Sequence, residues 1–157
     1  MTPWDIKQRP NRLPWPPVLL LGTIGLGFLL RALFPFGFES TPISQTIGAL
    51  FIACALALDV WASLTFRRAQ TTIMPHQGTK SLVTGGPFQY SRNPIYVGNL
   101  LILVGVGLLA GSLWHVVLVV PLAFAIQSLA IVREEAHLAA NFGKEWQDYT
   151  QQVRRWV

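Results

Sequence analysis

Four long apolar stretches separated by short polar breaks organise this chain, at residues 18–34, 43–66, 95–111 and 113–132. A helix crossing a bilayer needs about 20 apolar residues. These stretches are close to that length and lack the alternation of a half-buried strand. The breaks fall where backbone chemistry favours them. Leu13-Pro14-Trp15-Pro16-Pro17 makes a rigid entry with an interfacial indole. Pro35 and a turn through residue 42 end the first stretch, and Arg67-Arg68 ends the second. Pro94 opens the third, in a first helical turn where a missing N–H costs little. Pro121 lies inside the fourth and should distort its early turns. Arg133-Glu134-Glu135 is expected to stop that stretch.

Beyond it the periodicity changes. Leu138, Phe142, Trp146 and Tyr149 recur at spacings of four and three, the pattern of an amphipathic helix, interrupted at Asn141-Phe142-Gly143. Short helices over residues 134–157 should lie on the membrane surface or fold back over the bundle. The expected fold class is therefore all-α: a polytopic membrane helical bundle of about four transmembrane helices with short C-terminal amphipathic helices. It forms a single domain over residues 1–157, with a polar loop at residues 75–94 between the second and third spans.

Composition agrees. Of 157 residues, 52% are hydrophobic and only 12% charged, against roughly 25% charged in soluble domains. The formal net charge of +5 gathers at the ends of the apolar stretches, which suits anionic lipid headgroups. It makes no basic stripe interleaved with aromatics, so nucleic acid is not an expected partner. Lys7, Arg9 and Arg12 precede the first span, Arg67, Arg68, Lys80 and Arg92 lie between the second and third, and Arg133, Lys144, Arg154 and Arg155 follow the fourth. The other two connections carry no Lys or Arg. The positive-inside rule then sets both termini on the cytoplasmic side, in a bacterial inner membrane. The basic start followed by an apolar run has the outline of a signal peptide, but three more apolar runs follow, so it reads as a retained anchor. The single Cys54 excludes a disulfide within the chain.

The chemistry is concentrated in KSLVTGGPFQYSRNPIYVG, residues 80–98. A polar, turn-rich segment against a membrane is costly unless it lines a protein-covered cavity. Asn93 before Pro94 is driven out of the helical region, so the chain turns and leaves Arg92 at the inner mouth of the third span. Gly85-Gly86-Pro87 permits close backbone approach, and Phe88 and Tyr90 offer flat faces nearby. Glu134 and Glu135 sit at the presumed end of the last span. Adjacent helical residues point about 100° apart, so only one of them should face a given site. Asp59 lies inside the second span, where an ionisable group is either functional or paired with an arginine. Arg31 reads as a snorkelling side chain near the outer end of the first span. His76 and His115 have no partner ligands at metal-binding spacing, and no metal is expected. Gly105-Val106-Gly107 and Gly107-x-x-x-Gly111 favour close helix approach in lipid.

The motif LVTGGPFQYSRNPIYVG, followed some forty residues later by EEAHLAANFGKEWQDYTQQVRRW, resembles the isoprenylcysteine carboxyl methyltransferase and phospholipid methyltransferase group of integral-membrane enzymes. The resemblance covers about half of the chain, residues 80–156. It implies methyl transfer from the cofactor S-adenosylmethionine to a lipophilic acceptor, a lipid or isoprenoid-type carboxylate or amine, at the cytoplasmic membrane face. It implies cofactor-binding roles for Leu82, Val83, Phe88, Arg92, Asn93, Pro94, Tyr96, Glu134 and Glu135. Arg92, Asn93 and Glu134 would be the catalytic set. Prenylcysteine enzymes commonly carry Arg-His-Pro where this chain has Arg92-Asn93-Pro94, a departure that points away from a prenylcysteine acceptor. Two other readings stay open at this stage: a membrane reductase of related C-terminal architecture using a nicotinamide cofactor, and a non-catalytic scaffold. Oligomeric state is not readable from the chain.

Overall fold

The computed structural model describes residues 15–69 and 81–157. The basic cluster Lys7, Arg9 and Arg12, and Pro75, His76 and Lys80 of the polar loop, lie outside the described residues. The described residues are helical apart from turns and short extended links. In chain order they form α1 (Trp15–Leu33), α2 (Pro42–Arg68), a 3-10 turn (Gly86–Gln89) and α3 (Pro94–Ala110). α4 (Leu113–Val117), α5 (Val119–Ile126), a π turn (Gln127–Ile131) and α6 (Val132–Gln152) follow. Three described helical runs are long and apolar enough to cross a membrane: Trp15–Leu33, Pro42–Arg68 and Leu113–Gln152. α3 is apolar but has only 17 residues, which at 1.5 Å per residue is about 26 Å, just short of a hydrocarbon core.

Side chains such as Leu21, Leu56, Val60, Val120 and Phe124 stay exposed on the helix exteriors. In water this would be a liability. In lipid it is the expected outer surface, because nothing drives those groups inward. What does turn inward is small. The buried residues of α2 are Gly48, Ala55 and Ala62, one every seven. Gly105 of α3 lies against Gly48 so tightly that a Cβ there would stand 2.7 Å from the Gly48 carbonyl oxygen and 2.6 Å from Ile52. Backbones that approach this closely gain the dispersion contacts that hold helices together in a membrane. A larger core behind this pair joins Leu20, Tyr96, Leu103, Leu122, Ile126, Ala130 and Ile131.

At the outer end the two connections that lack Lys and Arg pair with each other. Phe38 N–H donates to the Gly111 carbonyl at 3.0 Å, and Leu113 N–H to that of Phe36 at 3.2 Å. Gly111 takes the left-handed conformation (φ 62°) that closes α3. Arg31, expected to snorkel, instead donates from Nη1 to the Ala110 carbonyl. A cation there satisfies an orphan acceptor and the negative end of the helix dipole together.

The last span departs from expectation in two ways. Its early distortion is a break at Leu118 between α4 and α5, three residues before Pro121. That is the turn whose hydrogen bonding Pro121 disrupts. The helix also does not stop at Arg133-Glu134-Glu135. It passes through a π turn and runs on as α6 to Gln152. Only Gly143, with φ 49° and ψ −112°, leaves helical geometry inside α6, at the interruption read from Asn141-Phe142-Gly143. The two glutamates therefore lie mid-helix, where carbonyls are internally paired, and do not oppose an exposed C-terminal dipole.

Candidate active site

The loop after α2 reaches the head of α3 through the 3-10 turn. Gly86 has φ 60°, and a Cβ there would stand 2.4 Å from the Thr65 hydroxyl, so both conformation and space call for glycine. Phe88 is buried and meets Phe66 edge-on, with ring centroids 4.9 Å apart. Asn93 caps α3 only through its backbone, with Pro94 buried in the first turn behind it. The side chain of Asn93 is turned elsewhere: Nδ2 donates to the Arg155 carbonyl at 2.8 Å. Asn93, expected in the catalytic set, thus ties the turn to the last residues of the chain.

Arg92 is the centre. Its Nη1 lies 3.2 Å from Glu135 Oε1, and its guanidinium stands 5.6 Å from the Trp146 ring centroid. Its backbone N–H donates to the Arg154 carbonyl at 3.0 Å. Its Nε is buried and has no hydrogen-bond partner. Glu135 is shared: Arg155 grips it with a fork, Nε to Oε1 at 3.0 Å and Nη2 to Oε2 at 2.7 Å. The Glu135 contact raises the Arg155 guanidinium above its ordinary range. Glu134 takes a separate partner, accepting from the Tyr96 hydroxyl at 2.6 Å. Neighbouring residues do point apart, as expected, but both glutamates are engaged because the turn at Arg92 and the first turn of α3 approach α6 on different sides. Burial raises the Glu134 carboxyl above the ordinary range; the Tyr96 hydroxyl opposes that rise and the charge of Glu135 adds to it.

A second cluster backs the site. Trp146, Tyr149 and Val153 are buried together, with Leu82 packed on them. The Tyr149 hydroxyl donates to the Phe88 carbonyl at 2.6 Å, and burial pushes its acidity down to a pKa of about 12, with Arg92 working against the shift. Tyr149 therefore stays a neutral donor. Val83 is half-buried in the same segment. Trp156 closes the floor, donating to Gln127 Oε1 of the π turn at 3.1 Å. Asp59 is not part of this group. It faces Gly98, which is about 200° around α3 from Tyr96, and so lies across the helix from Glu134. Its Oδ1 is buried without a partner, and no ion pair to an arginine forms among the described residues.

The motif thus brought together Leu82, Phe88, Arg92, Tyr96, Glu134 and Glu135. Sequence reasoning alone does not single out Trp146, Tyr149, Arg155, Trp156 and Gln127, which the structure places around the same group. For Trp146 and Tyr149 the helical spacing is a signal, but one that marks an apolar face. Arg155 stands in the sequence as one of several charges beyond the last span.

The arrangement defines a class: a membrane-embedded helical protein holding two guanidiniums, two carboxylates and aromatic faces at one end of its bundle. The chain belongs to the phospholipid methyltransferase family, whose profile matches residues 43–145. It is 31% identical over 113 residues to the cobalt-zinc-cadmium resistance protein CzcN of Cupriavidus metallidurans, covering 72% of this chain and 48% of the relative. It is also 31% identical over 108 residues to the nickel-cobalt-cadmium resistance protein NccN of Alcaligenes xylosoxydans xylosoxydans, covering 69% and 46%. The chain spans about half the length of these curated relatives. No solved structure matches. Among the described residues no group of three or more His, Cys, Asp or Glu side chains could hold a metal ion.

Proposed function

We propose that this protein transfers a methyl group from S-adenosylmethionine to a lipophilic acceptor, a lipid or isoprenoid-type carboxylate or amine, at the cytoplasmic face of the membrane. The observation that carries the reading is Arg92, poised between Glu135 and the Trp146 ring with its Nε buried and unpaired, in a chain of the phospholipid methyltransferase family. The cofactor's amino-acid end bears a carboxylate and an amine, and the site offers matching charges of both signs. Arg92 would take the carboxylate through its unpaired donor. Glu134 and Glu135 would take the amine. Trp146, Phe88 and Tyr96 supply aromatic faces of the kind that favour onium cations. When bound, the cofactor supplies an electrophilic methyl group on sulfur. The protein's share is then to hold donor and acceptor in line and to exclude water, a contribution of about 7–11 kcal/mol in favourable systems.

The distribution of Lys and Arg supports a cytoplasmic site with both termini on that side. The water-soluble cofactor would enter from there, and the acceptor's tail from lipid between helices. Asn93 acts in this reading as a positioning residue that anchors the turn.

Calorimetry on the detergent-purified protein tests the proposal, with S-adenosylmethionine, S-adenosylhomocysteine and NADPH as titrants. Saturable S-adenosylhomocysteine binding, lost in Arg92→Ala and weakened at least tenfold in Arg92→Lys, is the expected result. Binding of NADPH alone would mark a reductase, and binding of none of the three a scaffold.

A further inference from the structure

Asp59 plays no part in the cofactor group. It stands half-buried inside the apolar helix α2, and its Oδ1 is buried without a hydrogen-bond partner. Its described surroundings supply no counter-charge. One turn away on α2 are Ala55, Leu56, Ala62 and Ser63. Across from it, α3 carries no Lys, Arg or His from Pro94 to Ala110. No ion pair among the described residues involves Asp59. A carboxylate at membrane depth is costly unless a cation or hydrogen-bond donors meet it. This one therefore calls for a partner beyond the described helices.

Its place in the fold says which one. Gly98 of α3 faces the carboxyl, and a Cβ there would stand 2.9 Å from Oδ1, so only a bare backbone leaves the group its room. α2 packs against α3 and the 3-10 turn, while Leu56, Val60 and Leu64 on either side of Asp59 are exposed. The carboxyl is thus reached from the bilayer. Depth agrees with this. Gly98 lies about 3 Å along α3 from Tyr96, whose hydroxyl holds Glu134. A lipid head that descends as far as the cofactor group therefore reaches the level of Asp59. Charge then selects among heads. A carboxylate head is repelled there, whereas a primary ammonium is attracted and brings N–H donors that an unpaired carboxylate oxygen lacks.

We propose that Asp59 is a docking site for the primary ammonium of an amine-headed lipid, on the bilayer side of the α2–α3 seam and across α3 from the cofactor group. For its place in a reaction this rests on the methyltransferase reading, and of the acceptors named there it selects the amine over the carboxylate. Asp59 determines specificity by capturing the head; it does not touch the transferred methyl group. The role separates lipid choice from stability and from cofactor binding. Asp59→Asn keeps the shape and removes the charge, so it leaves the melting temperature unchanged or raises it. It leaves S-adenosylhomocysteine affinity within about twofold and abolishes the preference for an amine head.

The assay uses full-length protein in detergent micelles with one added lipid at a time: phosphatidylethanolamine, phosphatidylglycerol or a long-chain fatty acid. Bound lipid is read by native mass spectrometry. Wild type should bind phosphatidylethanolamine about tenfold more tightly than the other two, and Asp59→Asn should bring the three within about twofold. Gly98→Ala, which crowds Oδ1 but keeps the charge, should weaken phosphatidylethanolamine alone. Equal binding of the three lipids by wild type would overturn the proposal, as would a preference that survives Asp59→Asn or a fatty-acid preference that Asp59→Asn removes. A change of oligomeric state in Asp59→Asn with lipid binding unchanged would also overturn it, by making a second copy the partner. A wild type that prefers phosphatidylethanolamine but binds no S-adenosylhomocysteine would strike the methyltransferase reading and leave the docking site standing.

Discussion

Arg155 braces the site from the far end of the second motif, and removing it makes a demanding test. Its fork makes two charge-assisted bonds to Glu135, at 3.0 and 2.7 Å. Bonds to charged groups contribute roughly 1.5–3 kcal/mol each when sheltered. The Arg155 side chain is 37% exposed, so water screens part of that. Arg92 remains 3.2 Å from the same carboxylate, so Glu135 is not left bare. The net loss expected for Arg155→Ala is therefore about 2 kcal/mol, near the lower end for one such bond, or roughly a thirtyfold change in the folding ratio. Arg155→Lys keeps the charge but not the fork and should recover less than half of that. Freed of Arg155, Glu135 should move wholly to Arg92 and occupy the guanidinium that the cofactor carboxylate needs. S-adenosylhomocysteine affinity should then fall about tenfold in Arg155→Ala. The measurements are thermal unfolding in detergent and calorimetric titration. Wild-type melting together with wild-type affinity in Arg155→Ala would refute the reasoning, because the fork would then be incidental.

Two further expectations concern pH and packing. Burial raises the Glu134 carboxyl, so S-adenosylhomocysteine binding should weaken as pH falls through a value above the ordinary glutamate range. Tyr96→Phe, which removes a hydrogen bond favouring the ionised form, should move that loss to still higher pH in a calorimetric pH series. Stability should run the other way: a carboxyl raised in the fold contributes most below its unfolded pKa, and that contribution is lost as pH rises through the folded value. Gly105→Val sets a branched side chain where even a Cβ would lie 2.7 Å from a backbone oxygen. It should cost about 3 kcal/mol or more by forcing α2 and α3 apart, read as loss of folded protein in detergent, whereas Gly85→Ala, with open space around it, should melt normally.

Legibility in the sequence followed the range of the physics. The apolar runs, the proline-marked starts and the glycine interruption at residue 143 depend on local backbone and transfer free energies, so each could be read from a short window. The resemblance carried by residues 80–98 and 134–156 pointed to Arg92, Tyr96, Glu134 and Glu135 because chemistry requires those side chains close together along two segments. Continuity of the last helix through Arg133-Glu134-Glu135 could not be read that way. Charged residues end a span without ending a helix, and where Glu134 and Glu135 find partners in Tyr96, Arg92 and Arg155 is decided by packing. The same applies to Arg31. Its charge near the outer end was plain, but its partner, Ala110, lies 79 residues along the chain.

By itself the chain determined that it is a helical membrane protein with a polar, chemically equipped hinge, because hydrophobic transfer and backbone sterics act residue by residue. Only the tertiary structure decided which glutamate meets which partner, that Asp59 lies across α3 from the site, and that residues 153–156 close over Arg92. Those outcomes depend on the rotation of one helix against another. That rotation is set by small residues meeting across the bundle, a sum over distant contacts that no local pattern records.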